Sequence, residues 1–429
     1  MLRTLAVSQK TINREGRAVK TYSVAMTDGS ILEYQDRKRI FWWGSLLYPL
    51  LGLTGVGLMA WTGREYLLIT PIFLTYVVGP FSDWLYGVDE NNPPEALVPQ
   101  LEDDPYYRLL TYFTIPLHFL ALLVCAWWAG TQDLSWWGFL LLAVSAGIGS
   151  GLGINTGHEL GHKKSRFERN LAKIVLAVPA YGHFCIEHNR GHHRDVSTPD
   201  DPASSRMGES IYGFVLREIP GAIRRAWASE KIRLQRKGLS VWHWQNEILQ
   251  SHAIAAVVQI SLLLTFGWLM VPFLIIHNVF AWWQLTSANY VEHYGLLRQK
   301  LSDGRYERCQ PWHSWNSNHK YSNLVLFHLE RHSDHHAHPT RRYQSLRHFE
   351  DLPQLPSGYF GMFLIAYVPW LWFKIMDPRL IALPHIQGDV AKINIEPKYR
   401  DQILRRYPEL RQSASRHQQS KLVLEAQNS

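Results

Sequence analysis

Cysteine is scarce in this chain. The 429 residues include three, Cys125, Cys185 and Cys309, and no CxxC pair. That excludes a disulfide framework, a cysteine-rich zinc module and an internal iron–sulfur or four-cysteine iron site. Electrons for any redox chemistry must therefore come from another protein. A cleavable signal peptide is not expected either, because residues 1–39 are polar and basic. The net charge of +8 arises from 44 Lys and Arg against 36 Asp and Glu, but the basic residues are scattered rather than gathered into a stripe. Nucleic acid is not an expected partner.

The mean hydropathy of −0.17 looks soluble. The average misleads, because apolar residues fall into blocks with few charges. Six blocks reach the roughly 20 residues needed to cross a bilayer core: Ile40–Trp61, Leu67–Leu85, Leu109–Ala129, Trp136–Ile154, His252–Val271 and Phe273–Asn289. Tryptophans cluster at their ends (Trp42, Trp43, Trp61, Trp127, Trp128, Trp136, Trp137), as interfacial anchors do. Six spans leave both termini on one side. The opposite loops, about 62–66, 130–135 and a turn near Pro272, hold a single basic residue, Arg64. Positive charge thus assigns the termini and long loops to the cytoplasm. A later apolar stretch, Tyr359–Met376, carries Pro369 and reads as a packed or interfacial hairpin. Residues 19–34 alternate around Asp28-Gly29 and suggest a β-hairpin.

The expected fold is an all-α integral membrane protein, a six-helix bundle with a cytoplasmic helical cap. Residues 1–39 form an N-terminal arm and 40–154 the first four spans. Residues 155–251 are a cytoplasmic segment, 252–290 the last two spans, 291–400 the cap, and 401–429 a tail or linker.

Nine of the 21 histidines are concentrated at four places. His158 and His162 lie in NTGHELGHKK, and His188, His192 and His193 in EHNRGHH. His332, His335 and His336 lie in ERHSDHH, and His293 in NYVEHYG. Residues four apart share a helix face, so each pair can aim two imidazoles at one point. Imidazole ligates iron, copper, zinc and nickel. Nine donors exceed what one ion takes and suit two. The six-span topology places all nine on the cytoplasmic side.

His158–His162 also matches HExxH, the zinc metalloprotease motif, with Glu159 as general base. A zinc hydrolase needs three protein ligands, so that reading leaves seven clustered histidines unused. A metal transporter would place its ligands at the membrane midplane, not at one end. Carboxylates neighbour the histidines: Glu159, Glu187, Asp195, Glu292, Glu330 and Asp334. Their expected role is to hold the distal imidazole N–H and fix its tautomer, with a metal-bridging role open to any one of them. Of the other histidines, His118 and His277 lie within spans and are expected to be packed. His183, His313, His319, His328, His338 and His348 lie near the clusters.

The three boxes HxxxH, HxxxHH and HxxHH resemble those of the integral-membrane desaturases and hydroxylases. NTGHELGHK, EHNRGHHRDVSTPDDPASSRMGESIY, NYVEHYGLLRQK and LERHSDHHAHPTRRYQSLR together resemble the membrane-bound alkane 1-monooxygenase family, over about residues 75–380. The HYG element at His293–Gly295 separates that family from fatty-acyl desaturases. The resemblance implies two non-haem iron ions held by the nine histidines. It also implies O2 as co-substrate, an n-alkane drawn from membrane lipid, and two electrons from rubredoxin. It implies an enzyme of the bacterial inner membrane with its site on the cytoplasmic side. A related hydroxylase of alkyl-aromatic side chains, or a fatty-acyl desaturase or hydroxylase, are the alternatives.

An n-alkane has no polar handle, so an apolar channel must bind it by burial, at about 0.8 kcal/mol per CH2. Gly149 and the neighbouring glycines 147, 151 and 153 either open such a channel or permit close helix packing. Phe73, Tyr76 and Trp282 are expected to set its depth. Lys163, Lys164, Arg166, Arg341 and Arg342 adjoin the boxes and are candidates to dock an acidic reductant.

Overall fold

A computed structural model describes residues 9–12, 18–89 and 91–415. The remainder of the expected tail, 416–429, and parts of the N-terminal arm lie outside the described residues. Among the described residues, five helices are long and apolar enough to cross a membrane: Arg39–Thr62, Glu65–Tyr86, Pro105–Thr131, Trp136–Gly161 and Glu247–Phe266. Helix 136–161 is the centre of the bundle. Its most apolar stretch is 72% buried, against 22% for the peripheral helix 247–266. Its most extensive packing is with the helix Met270–Glu292.

The sixth expected span coincides with helix 270–292. It is long enough, but it carries His277, Asn278, Gln284, Ser287 and Asn289 and is less apolar than the other five. The turn before it is not at Pro272. The chain breaks at Gly267, whose φ of 77° favours glycine. Pro272 instead sits in the first helical turn, where no intrahelical N–H bond is lost.

Glycines let helix 136–161 approach its partner. A Cβ on Gly147 would stand 2.5 Å from the His277 carbonyl oxygen, and one on Gly151 would stand 2.5 Å from Gln284 Cγ. Close packing is thus their role at these two positions.

The apolar stretch after the third histidine box forms two helices, Tyr359–Ala366 and Pro369–Ile381, bent by 118°. Pro369 starts the second and disfavours helix at the residue before it. The first is buried against the main core. A packed or interfacial hairpin is the expectation here; counted as one, the bent pair is also long and apolar enough to make a sixth span.

Two features bear on the expectation of an all-α chain ending in a tail or linker. A three-stranded antiparallel sheet, Gln9–Ile12, Ala18–Ala25 and Ile31–Asp36, precedes the first long helix. The last two strands are the hairpin expected around Asp28-Gly29. Tyr22 and Tyr34 pack on Leu97 and Leu101 of the acidic 86–107 loop. Asp104 of that loop accepts from Lys20 (2.6 Å), Tyr22 (2.7 Å) and Arg39 (2.6 Å), which anchors the sheet. At the other end, the start of the expected tail or linker, 401–415, is helical and packed. Helix Arg400–Arg406 buries Ile403, and the helical segment 408–415 after it buries Leu410, in the main core.

Candidate metal centre

The nine clustered histidines converge at one end of helices 136–161 and 270–292. They form two groups. His158, His162, His188, His193 and His335 make one, and His192, His293, His332 and His336 the other; within each group one donor atom per residue lies within 4.8 Å of all the rest. His158 and His162 close helix 136–161, four residues apart and on one face. A Cβ on Gly161 would meet Cys185 Sγ at 2.5 Å, so glycine there lets the second box approach the first.

The second box does not behave as an α-helical HxxxHH. His188–His192 forms a π-turn. Its wider winding aligns positions five apart, so His188 and His193 share the first group while His192 turns to the second. The α-helical expectation for His188 and His192 is thereby corrected. In the third box, on helix His332–Ala337, His332 and His336 keep the four-residue relation and His335 points to the other group.

The geometry of the ring nitrogens tests whether the groups suit metal ions. In the first group His335 Nε2 stands 3.1 Å from His158 Nε2 and 3.1 Å from His193 Nε2, which is 3.1 Å from His188 Nε2. In the second, His332 Nε2 lies 3.1 Å from His293 Nε2 and 3.0 Å from His336 Nε2. His162 Nε2 and His192 Nε2 are buried without a hydrogen-bond partner.

Two tautomers follow directly. His293 Nδ1 faces the His313 carbonyl oxygen at 3.0 Å, and His192 Nδ1 faces Asp201 Oδ2 at 2.8 Å. Both partners accept only, so Nδ1 carries the proton and Nε2 presents a lone pair. Burial holds His188, His193, His332, His335 and His336 well below the ordinary imidazole pKa, and neighbouring histidines add to this. His293 is held down at about 3, chiefly by burial. Neutral imidazoles with convergent lone pairs repel one another unless a cation lies between them. The residues therefore fit two metal ions.

The outer supports differ from those expected. Asp201 holds His192 and is itself fixed by Ser204 Oγ at 2.6 Å. It lies nine residues beyond that histidine, outside the immediate neighbours that proximity in sequence singled out. Four of the expected carboxylates serve ion pairs instead. Glu159 meets Lys163 (2.9 Å), Glu187 meets Arg225 (2.9 Å), Asp195 meets Arg194 (2.6 Å) and Asp334 meets Arg341 (3.0 Å). Glu330 accepts from the Tyr359 N–H at 2.9 Å. Glu292 alone of the six reaches a clustered histidine, with Oε2 3.4 Å from His332 Nε2. Of the other histidines, His277 bonds Ser150 Oγ at 2.8 Å within the bundle, and His328 donates from Nδ1 to the Tyr343 carbonyl at 2.8 Å.

An apolar cavity opens from both groups. His158, His188, His332 and Glu292 line its upper end, Leu152, Leu285, Phe360 and Phe363 its walls, and Gly151 and Gln284 its lower end. None of the four expected channel residues lines it. Phe73 is exposed on the outer face. Gly149 faces Gly52. Trp282 donates to the Pro179 carbonyl. Tyr76 stands one bond behind the cavity, donating to Gln284 Oε1 at 2.8 Å.

The expected docking cations divide likewise. Lys163 and Arg341 are buried in ion pairs, and Arg342 is paired with Glu168 at 2.8 Å. Lys164 and Arg166 are exposed.

Apolar helices that end in convergent histidines are the architecture of the histidine-rich membrane oxidoreductases. The family model described as fatty acid desaturase matches residues 134–366. An alkane 1-monooxygenase from Pseudomonas putida is 56% identical over 375 residues, 87% of this chain and 93% of that protein. Alkane 1-monooxygenase 1 from Alcanivorax borkumensis is 57% identical over 369 residues, covering 86% and 91%. The xylene/toluene monooxygenase hydroxylase component of Pseudomonas putida is 28% identical over 227 residues, covering 52% and 59%. The chain belongs to the alkane 1-monooxygenase family.

Proposed function

We propose that this protein hydroxylates the terminal methyl group of n-alkanes. The reaction consumes an alkane, O2, two electrons and two protons, and yields a 1-alkanol and water. The observation that carries this reading is the pair of histidine groups opening onto an apolar cavity. The nine histidines hold two non-haem iron ions. Those ions, when bound, supply the reduction of O2 and the oxidising power needed to hydroxylate an unactivated C–H bond.

The chain's own residues bind and orient the substrate. Seven residues of helix 136–161 separate His158 from Gly151, a depth of about 10 Å at 1.5 Å per residue. Apart from Glu292, Tyr359 and the histidines at the metal centre, the polar residues in the wall turn their polar atoms to protein partners. Asn155 donates to the Leu326 carbonyl at 2.7 Å, Asn289 to Glu218 at 3.0 Å, and Gln284 accepts from Tyr76. Away from the metal centre the cavity therefore meets the alkane with carbon, and burial both binds it and excludes water from the centre. Depth presents the chain end, not an internal methylene, to the histidine groups.

Helix 270–292 completes six spans with the five more apolar helices. The basic loops and all nine histidines then lie on the cytoplasmic side of the inner membrane. Rubredoxin delivers the electrons there, and Lys164 and Arg166 are the exposed cations left to receive it. The test is product analysis on octane with rubredoxin and its reductase. The expected product is 1-octanol, one per O2 consumed. No oxygenated octane alongside oxidised xylene would favour an alkyl-aromatic hydroxylase instead.

A further inference from the structure

Glu292 ends helix 270–292 directly before His293, and its side chain is buried. Among the described residues it is the one acidic side chain lining the apolar cavity. Among the described residues no Lys or Arg pairs with it, whereas Lys163, Arg225 and Arg341 neutralise Glu159, Glu187 and Asp334. Its Oε1 is buried and makes no close hydrogen bond, and the one polar side chain beside it other than the histidines is the neutral Tyr359 hydroxyl. A carboxylate in an apolar wall with no Lys or Arg beside it is strongly unfavourable unless it takes up a proton or a bound cation meets it, and the neighbouring metal site supplies such a cation.

Its Oε2 lies 3.4 Å from His332 Nε2, the nitrogen that faces the other donors of the four-histidine group. Two donor atoms about 2.1 Å from one ion stand about 3.0 Å apart at a right angle and about 3.4 Å apart at the tetrahedral angle. The His332 Nε2 distances to His293, 3.1 Å, and to His336, 3.0 Å, fall at the first value, and Glu292 falls at the second. The first group has five histidines and the second four. A carboxylate from Glu292 would equalise the donor count and bring negative charge to a site otherwise built of neutral imidazoles.

We propose that Glu292 is the fifth protein ligand of the ion held by His192, His293, His332 and His336, on the side of that ion facing the substrate cavity. This rests on the two-iron reading above. The two ions would then differ in kind, one with five nitrogens and one with four nitrogens and an oxygen.

The experiment is iron counting and Mössbauer spectroscopy on full-length, detergent-purified protein loaded with iron-57. The unaltered protein should hold two irons in two distinguishable environments. Glu292→Gln should change one environment, or lose that iron so that content falls from two toward one per chain, and leave the other unaltered. Glu292→Asp keeps the charge and should retain more of the affected iron than Glu292→Gln. Two irons with both environments unchanged in Glu292→Gln would overturn the proposal. Should the variants not fold, the iron-loaded unaltered protein decides by cryo-EM. A Glu292 oxygen about 2.2 Å from an ion supports the assignment, and one beyond about 3 Å overturns it. An unaltered protein that binds no iron would fail the metal-centre reading itself.

Discussion

Leu285 tests the cavity as the substrate site. It lines the cavity on helix 270–292, seven residues before Glu292 and so about 10 Å along the helix from the centre. Leu285→Ala removes three carbons at the membrane end without touching the histidines. The freed space admits about three more methylenes at about 0.8 kcal/mol each, or about 2.4 kcal/mol. Relative kcat/KM should then shift about 50-fold toward alkanes three carbons longer than the preferred one. The assay is competition between alkanes of graded length, with 1-alkanols resolved by gas chromatography and iron content measured to confirm an intact centre. An unchanged profile, or an equal loss at every chain length, would refute the placement of substrate in this cavity.

Three further outcomes are expected. His293→Ala should lose the ion of the four-histidine group and activity together, and full iron with full activity would remove His293 from the ligand set. Asp201→Asn removes the charge that orients His192 and should weaken iron retention against a chelator about 10- to 100-fold, at one of the two ions only; unchanged retention would contradict this support. At the N-terminal sheet, burial alone would raise the Asp104 carboxyl, but hydrogen bonds from Arg39, Lys20, Tyr22 and the Tyr106 N–H outweigh it and hold it well below the usual carboxylate range. A depressed pKa stabilises the charged, docked state above the unfolded value near 4 and is lost as pH falls through the folded one. The arm should stay protease-resistant from pH 8 to pH 5 and loosen under more acidic conditions, whereas Asp104→Asn should be cleaved at neutral pH; identical cleavage of both would contradict the anchor.

The positions of the nine histidines were legible because ligand-bearing residue types and short spacings survive in the sequence. Their partition was not. It depends on the π-turn at His188–His192, a backbone choice that residue spacing does not announce. Five of the six apolar blocks became long apolar helices, because block length and charge poverty are local properties. The sixth, helix 270–292, is less apolar because it faces other helices and the cavity, so polar side chains such as Gln284 and Asn289 find partners there. Channel and docking residues were the least legible. Phe73 faces outward, one residue before a second π-turn at Leu74–Val78 that resets the helix faces. Lys163 is neutralised within its own turn, but Arg341 pairs with Glu95, 246 residues away in sequence. Such long-range pairs turn an apparent surface cation into an internal strut.

Nine histidines holding two iron ions beneath an apolar cavity should be visible in the metal content of the protein. Metal content per chain, measured by mass spectrometry on detergent-purified protein, tests this most directly. Close to two irons are expected. One zinc and no iron would contradict the two-iron reading, returning Glu159 to the role of general base and leaving seven of the nine histidines without a function.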